Sequence, residues 1–234
     1  MTPPDDFPGF PRECVKFFQE LKANNNKQWF ERRKAYFQRY VMEPAEAFVG
    51  AMGERLRRIA PAVHAEPKVN KSIFRIHRDT RFTPDKSPYK THLGIWFWEG
   101  EGPRMECSGF YFHLEPPRLM LGAGMHMFPK HVLEAYRQSV VHAKYGPGLT
   151  QAIVRTERRG WTVRGSHYKK TPQGYKADHP RAALLLYNGL YVGAEDEIPV
   201  ELYSPAILDY CLSRYREMLP IHEWLVALTK RTRR

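Results

Sequence analysis

Apolar residues recur at helical spacing through the first sixty positions. In PRECVKFFQELKANN, Val15, Phe18 and Leu21 follow one another by threes behind Pro11, a residue suited to a first turn. NNNKQWFERRKAYFQRYV comes next and sets Trp29, Phe30, Tyr36, Phe37, Tyr40 and Val41 on one broad stripe. Its asparagine run fits a C-cap followed by an N-cap. Pro44 opens a third predicted helix, with Phe48, Met52, Leu56 and Ile59 on one face and a stop before Pro61. These aromatic stripes read as core rather than as a platform for stacking bases.

The period then changes. Leu93 to Trp98, Cys107 to Leu114 and Arg118 to Met125 are aromatic and aliphatic runs broken by EGEGPR and EPPR, the pattern of an antiparallel meander. Asn70 to Arg75 is expected to add an edge strand. PKHVLEAYRQSVVH and GPGLTQAIVRTERRG return to helical spacing, with Gly160 as a stop. RGSHYKKTPQGYKADHPR has no periodicity and reads as a loop. Short strands are expected around Ala183 to Tyr187 and Leu190 to Gly193, and two closing helices separated at Pro220. The predicted class is α+β, an antiparallel sheet flanked by N-terminal, middle and C-terminal helices. No linker is evident, so residues 1–234 are read as a single domain.

Composition sets the bounds of function. Hydrophobic residues make up 42% of the chain, enough for a globular core. The opening MTPPDDFPGF lacks the features of a secretory leader, and no apolar run is long enough to span a membrane. Cys14, Cys107 and Cys211 lie far apart and are odd in number, which points to a reducing cytoplasm. The net charge of +12 is unevenly placed. Lys68 to His92 holds seven Lys/Arg against two Asp, and Arg155 to Arg181 holds eight against two acids, so two windows carry nearly all of the excess. Localised charge of this kind implies an anionic partner.

The first window contains RIHRDTRFTPDKSPYK, residues 75–90. Thr83-Pro84 and Ser87-Pro88 favour turns, so the stretch reads as a folded loop leading into the sheet. Such a loop can converge Arg75, Arg78 and Arg81, whose guanidiniums suit phosphate or carboxylate. Lys86 and Lys90 add point charges, and Tyr89 adds a donor or a stacking ring. Asp79, through a pair with Arg75 or Arg81, reads as a brace for that fork. Asp79 and Asp85 are the weak candidates for a catalytic base, because neighbouring guanidiniums lower a carboxylate's pKa. His77, His92, His113 and His126 form no HxH or HxxxH pair, so no metal site is expected. No phosphate-binding loop, dinucleotide fingerprint or nucleophile elbow is present, and no cofactor is indicated.

The same stretch carries a resemblance. R-x-x-R-D-x-R-F-x-x-D-K-x-x-Y stands here as Arg75, Arg78, Asp79, Arg81, Phe82, Asp85, Lys86 and Tyr89, and with LKANNNKQWFERRKAY it resembles the bacterial and fungal domain-of-unknown-function family 2461 over nearly the whole chain. The resemblance implies where function lies and not which activity it is.

Three functions are expected from these residues. The leading one is a cytoplasmic protein binding a phosphate-bearing or other anionic small ligand, nucleotides included, through Arg75, Arg78, Arg81, Lys86, Tyr89 and Lys90. Arg164 to Arg181 would serve it as a basic flap, and any reaction would be directed at phosphate. The second is binding of single-stranded DNA or structured RNA. The third is a scaffold in which the charges form a structural ion-pair network.

Overall fold

The computed structural model describes residues 7–232. Residues 1–6, part of the stretch read above as carrying no leader, lie outside the described residues. The chain forms two compact units. One comprises residues 7–97, 111–121 and 195–214, and the other residues 98–110, 122–194 and 215–232.

In the first unit, helix α1 (Arg12–Ala23) buries Val15, Phe18 and Leu21, the stripe its spacing predicts, together with Cys14 and Phe17. Asn26 caps α2 (Lys27–Phe37) by accepting the Trp29 N–H at 2.9 Å. The expected break before Pro44 does not occur. A π-helical turn at Gln38–Met42 joins α2 to α3 (Glu43–Leu56), and the Glu43 N–H reaches back to the Gln38 carbonyl. Pro44 then follows that π-helical turn directly, in the first turn of α3. Phe48 of α3 packs on Phe10, Phe97 and Phe112, all four fully buried, at ring separations of 4.8–6.3 Å.

Strands β1 (Val63–His64), β2 (Leu93–Glu99), β3 (Ser108–Glu115), β4 (Arg118–Met125), β5 (Val163–Ser166) and β6 (Tyr187–Glu197) form an antiparallel sheet in the order β1-β2-β3-β4-β6-β5. The predicted α+β class and meander are therefore present. The edge strand beside β2 is β1 and not Asn70 to Arg75, which contributes isolated bridges through Ile73 only.

In the second unit, α4 (Lys130–Val141) and α5 (Tyr145–Glu157) follow β4, and the turn after α5 closes at Gly160, whose φ of +85° suits glycine. Gly124 has a φ of +120°, and a Cβ there would lie 2.3 Å from the Leu190 carbonyl. The glycines of LGAGM thus serve close strand approach. The run Ala182–Leu186 is a 3-10 helix rather than a strand, and β6 is one long strand rather than a short one.

Helix α6 (Ile207–Arg231) runs from the first unit into the second and passes through Pro220 without interruption, so the two expected helices are one. Among the described residues no helix is long and apolar enough to cross a membrane.

Candidate functional site

Residues 75–90 fold as a loop closed at its base. The Arg78 N–H donates to the Pro88 carbonyl at 2.9 Å, the Lys90 N–H donates to Ile76 at 2.8 Å, and His77 bridges to Tyr89 between them. Asn25, just past α1, reads both main-chain groups of Tyr89. Its amide donates to the Tyr89 carbonyl at 2.8 Å and its oxygen accepts the Tyr89 N–H at 3.1 Å. The Tyr89 ring stacks on Phe30 with centroids 4.2 Å apart and is buried. The chain's most regular feature here is thus a polar loop pinned by one asparagine and one aromatic stack.

Within the loop, each aspartate takes an arginine. Asp79 receives Arg81 through both oxygens, at 2.9 and 2.7 Å, and also accepts the Arg81 backbone N–H at 3.2 Å. These bonds, with the nearby charge of Arg75, hold the Asp79 carboxyl below its ordinary pKa. Asp85 accepts the Ser87 hydroxyl at 2.6 Å, the Ser87 N–H at 2.9 Å and the Arg78 guanidinium. Ser87 first and Arg78 second bring its pKa down to about 2. Carboxylates held this firmly in the charged form are poor proton acceptors. Lys86 donates to the Thr80 carbonyl at 2.9 Å, and Phe82 stands 91% exposed beneath the Arg81 guanidinium.

A cavity of about 320 Å³ opens beside the loop. Arg78, Tyr89 and Lys90 line it, together with Asp85, and Arg75, Arg81 and Lys86 do not. The remaining lining residues, Lys22, Asn25, Ser87, Thr91 and His92, come from the end of α1 and from the approach to β2. Three cations therefore face one carboxylate that already holds an arginine and a serine. Burial, reinforced by the charges of His113 and Lys90, lowers the His92 pKa to about 4 against the opposing pull of Glu115. His92 is thus neutral at pH 7.

Behind His92 lies a polar ladder on β3. The side chains of Phe110, Phe112 and Leu114 are buried, and Tyr111, His113 and Glu115 alternate with them on the less buried face. The rings of His92 and His113 stack at 4.1 Å with a 28° tilt. Tyr111 Oη lies 2.9 Å from His113 Nδ1, and His113 Nε2 lies 3.3 Å from Glu115 Oε2. The Thr91 hydroxyl donates to Glu115 Oε1 at 2.7 Å. Burial works to raise the Glu115 pKa, but the bonds from Thr91 and His113 and the nearby imidazoles outweigh it and hold it low. One ligand atom from each of His92, His113 and Glu115 lies within 4.8 Å of the others. The strand motif Y-F-H-L-E carried the signal for this face. A search for paired histidines passes over it, because the second histidine is twenty-one positions away.

The second basic window, Arg155 to Arg181, belongs to the other unit, and with it the expected flap Arg164 to Arg181. There Arg181 donates to the Val140 carbonyl at 2.6 Å and, with Arg155 and Arg158, lines an open concavity of about 570 Å³.

That unit also holds a Ser-His-Glu sequence of contacts. Ser108 Oγ lies 3.0 Å from His222 Nδ1, and His222 Nε2 lies 2.8 Å from Glu99 Oε2. The order matches nucleophile, base and orienting acid, but Ser108 is fully buried and His222 is 1% exposed. A hydroxyl withdrawn from solvent in this way meets no substrate, and the trio is a buried polar tie.

A family model described as "Conserved hypothetical protein (DUF2461)" matches residues 13–224, a span that includes the loop, the cavity and the β3 ladder. No curated protein and no solved structure matches the chain.

Proposed function

The chain belongs to the DUF2461 family, and from that premise we propose that it binds a phosphate-bearing or other anionic small molecule in the cavity beside residues 75–90. One observation carries the reading. Lys22, Arg78 and Lys90 line a cavity whose single carboxylate, Asp85, is already engaged by Arg78 and Ser87. About 320 Å³ falls at the lower end of the roughly 300–1,000 Å³ usual for small-molecule sites. Arg78 suits bidentate contact with a phosphate, and the two lysines supply movable point charges. Tyr89 acts through its position in the loop, since its ring is taken by Phe30. Arg75, Arg81 and Lys86 lie outside the lining and add a positive field that draws anions in. The site's chemistry is positioning and charge neutralisation, the part on which phosphoryl chemistry draws most. All three cysteines are free and buried, which favours a reducing cytoplasm as the protein's location.

Calorimetry and thermal-shift measurements with inorganic phosphate, nucleotides and sugar phosphates test this. The intact protein should respond to at least one of them, and a Lys22→Ala, Lys90→Ala double variant should lose the response. Equal responses in the two proteins would overturn the reading.

A second reading, binding of single-stranded nucleic acid, is favoured by the concavity that Arg155, Arg158 and Arg181 line. It requires an affinity that falls steeply with salt. Fluorescence anisotropy with labelled oligonucleotides decides it: a flat salt response removes it.

A further inference from the structure

We propose that His92, His113 and Glu115 form a binding site for a divalent first-row transition ion such as Zn²⁺. Two imidazoles and one carboxylate are a donor set that suits such ions, and three protein ligands leave one position open. The inference stands on geometry and does not rest on anion binding.

An ion held at about 2.0–2.2 Å by a nitrogen and an oxygen at a tetrahedral angle spaces those two atoms by about 3.4 Å. His113 Nε2 and Glu115 Oε2 are 3.3 Å apart. Residues two apart on a strand share a face, which brings the two side chains together, and the two atoms share a hydrogen bond that an ion would replace. The third ligand, His92, lies against His113 in a ring stack. Both rings must direct a nitrogen at the same point, so His92 must turn out of that stack. The movement is a rotation about its outer side-chain torsion, which is broad for histidine.

The groups around the three ligands supply the second argument. Ligating histidines hold their other ring nitrogen in a hydrogen bond, and ligating carboxylates are themselves hydrogen-bonded. Here Tyr111 Oη occupies His113 Nδ1 and leaves Nε2 for the ion. Thr91 holds Glu115 Oε1 and leaves Oε2. Each support acts on the atom that metal binding does not need. His92 also lines the cavity, so the ion would lie at its wall.

The test uses full-length, metal-stripped protein in phosphate-free buffer. Zn²⁺ is titrated calorimetrically, and Co²⁺ is followed by its visible spectrum, which reports coordination geometry. One ion per chain is expected, with low-coordinate Co²⁺ absorption. His92→Gln, His113→Gln and Glu115→Gln should each weaken binding by more than tenfold, and Tyr111→Phe by about tenfold. Circular dichroism of the metal-free variants establishes that each is folded. Absence of binding by the unaltered protein, or an isotherm that any one of the three ligand variants leaves unchanged, overturns the site.

Discussion

Arg159 donates a hydrogen bond at 3.1 Å to the carbonyl of Arg216, the acceptor that Pro220 cannot serve four residues on. The same nitrogen lies 3.2 Å from the Glu217 carbonyl. The guanidinium thus replaces the backbone donor that proline lacks, and α6 continues. Arg159→Ala should cost about 1 kcal/mol, and less in a Pro220→Ala background, where the helix donor is restored. Urea unfolding of the four proteins measures the coupling. Additive effects would mean that the arginine does not sustain the helix.

The buried tie between His222 and Glu99 makes a second prediction. Glu99→Leu leaves His222 Nε2 facing an apolar side chain and should destabilise the fold by about 1–3 kcal/mol. Glu99→Gln keeps an acceptor in place and should cost less. Ser108→Ala should cost about 1 kcal/mol and leave anion binding unchanged. Denaturant midpoints rank the three, and a Gln variant as damaging as the Leu variant would point to a requirement for charge.

These ties show what could be read from the residues. The β2-β3-β4 meander was legible because alternation and turn clusters are local, and so was the brace by Asp79 within one loop, which takes Arg81 of its two expected partners. The continuity of α6 was not, because the donor that rescues Pro220 is some sixty residues upstream. AALLL has no period, and its 3-10 form could not be told from a strand. The charged residues of the 75–90 loop were visible, but four of the nine residues of the cavity wall are not in that loop: Lys22 and Asn25 come from the end of α1 and just past it, and Thr91 and His92 from the approach to β2. The Tyr111, His113 and Glu115 face was written in the period of β3, and only its partner His92 required the fold.

The loop's electrostatics give a pH dependence with a definite sign. Asp85 has its pKa lowered to about 2 from an ordinary 3.8, so its contribution to stability is present above pH 4 and is lost as pH falls toward 2. Carbon-detected NMR of the Asp85 carboxyl should give a midpoint near 2. The hydrogen bond from the Ser87 hydroxyl is the first cause of the shift, so Ser87→Ala should raise that midpoint. An unchanged midpoint would leave the lowering to the Ser87 N–H and Arg78.

Asn25 is the residue on which the cavity depends most without supplying any charge to it. Its two bonds to Tyr89 engage the main-chain groups that the bridge to His77 leaves unused, and they fix the main chain next to Lys90. Asn25→Ala leaves the Tyr89 N–H and carbonyl without this partner and should cost about 1–2 kcal/mol. Asn25→Asp keeps the acceptor for the N–H but sets a carboxylate against the Tyr89 carbonyl, and should be at least as harmful. Amide exchange at Tyr89 and Lys90 should accelerate in both variants while exchange in β3 stays slow. Exchange that rises equally throughout the first unit would show that Asn25 supports the fold as a whole and not the loop that shapes the site.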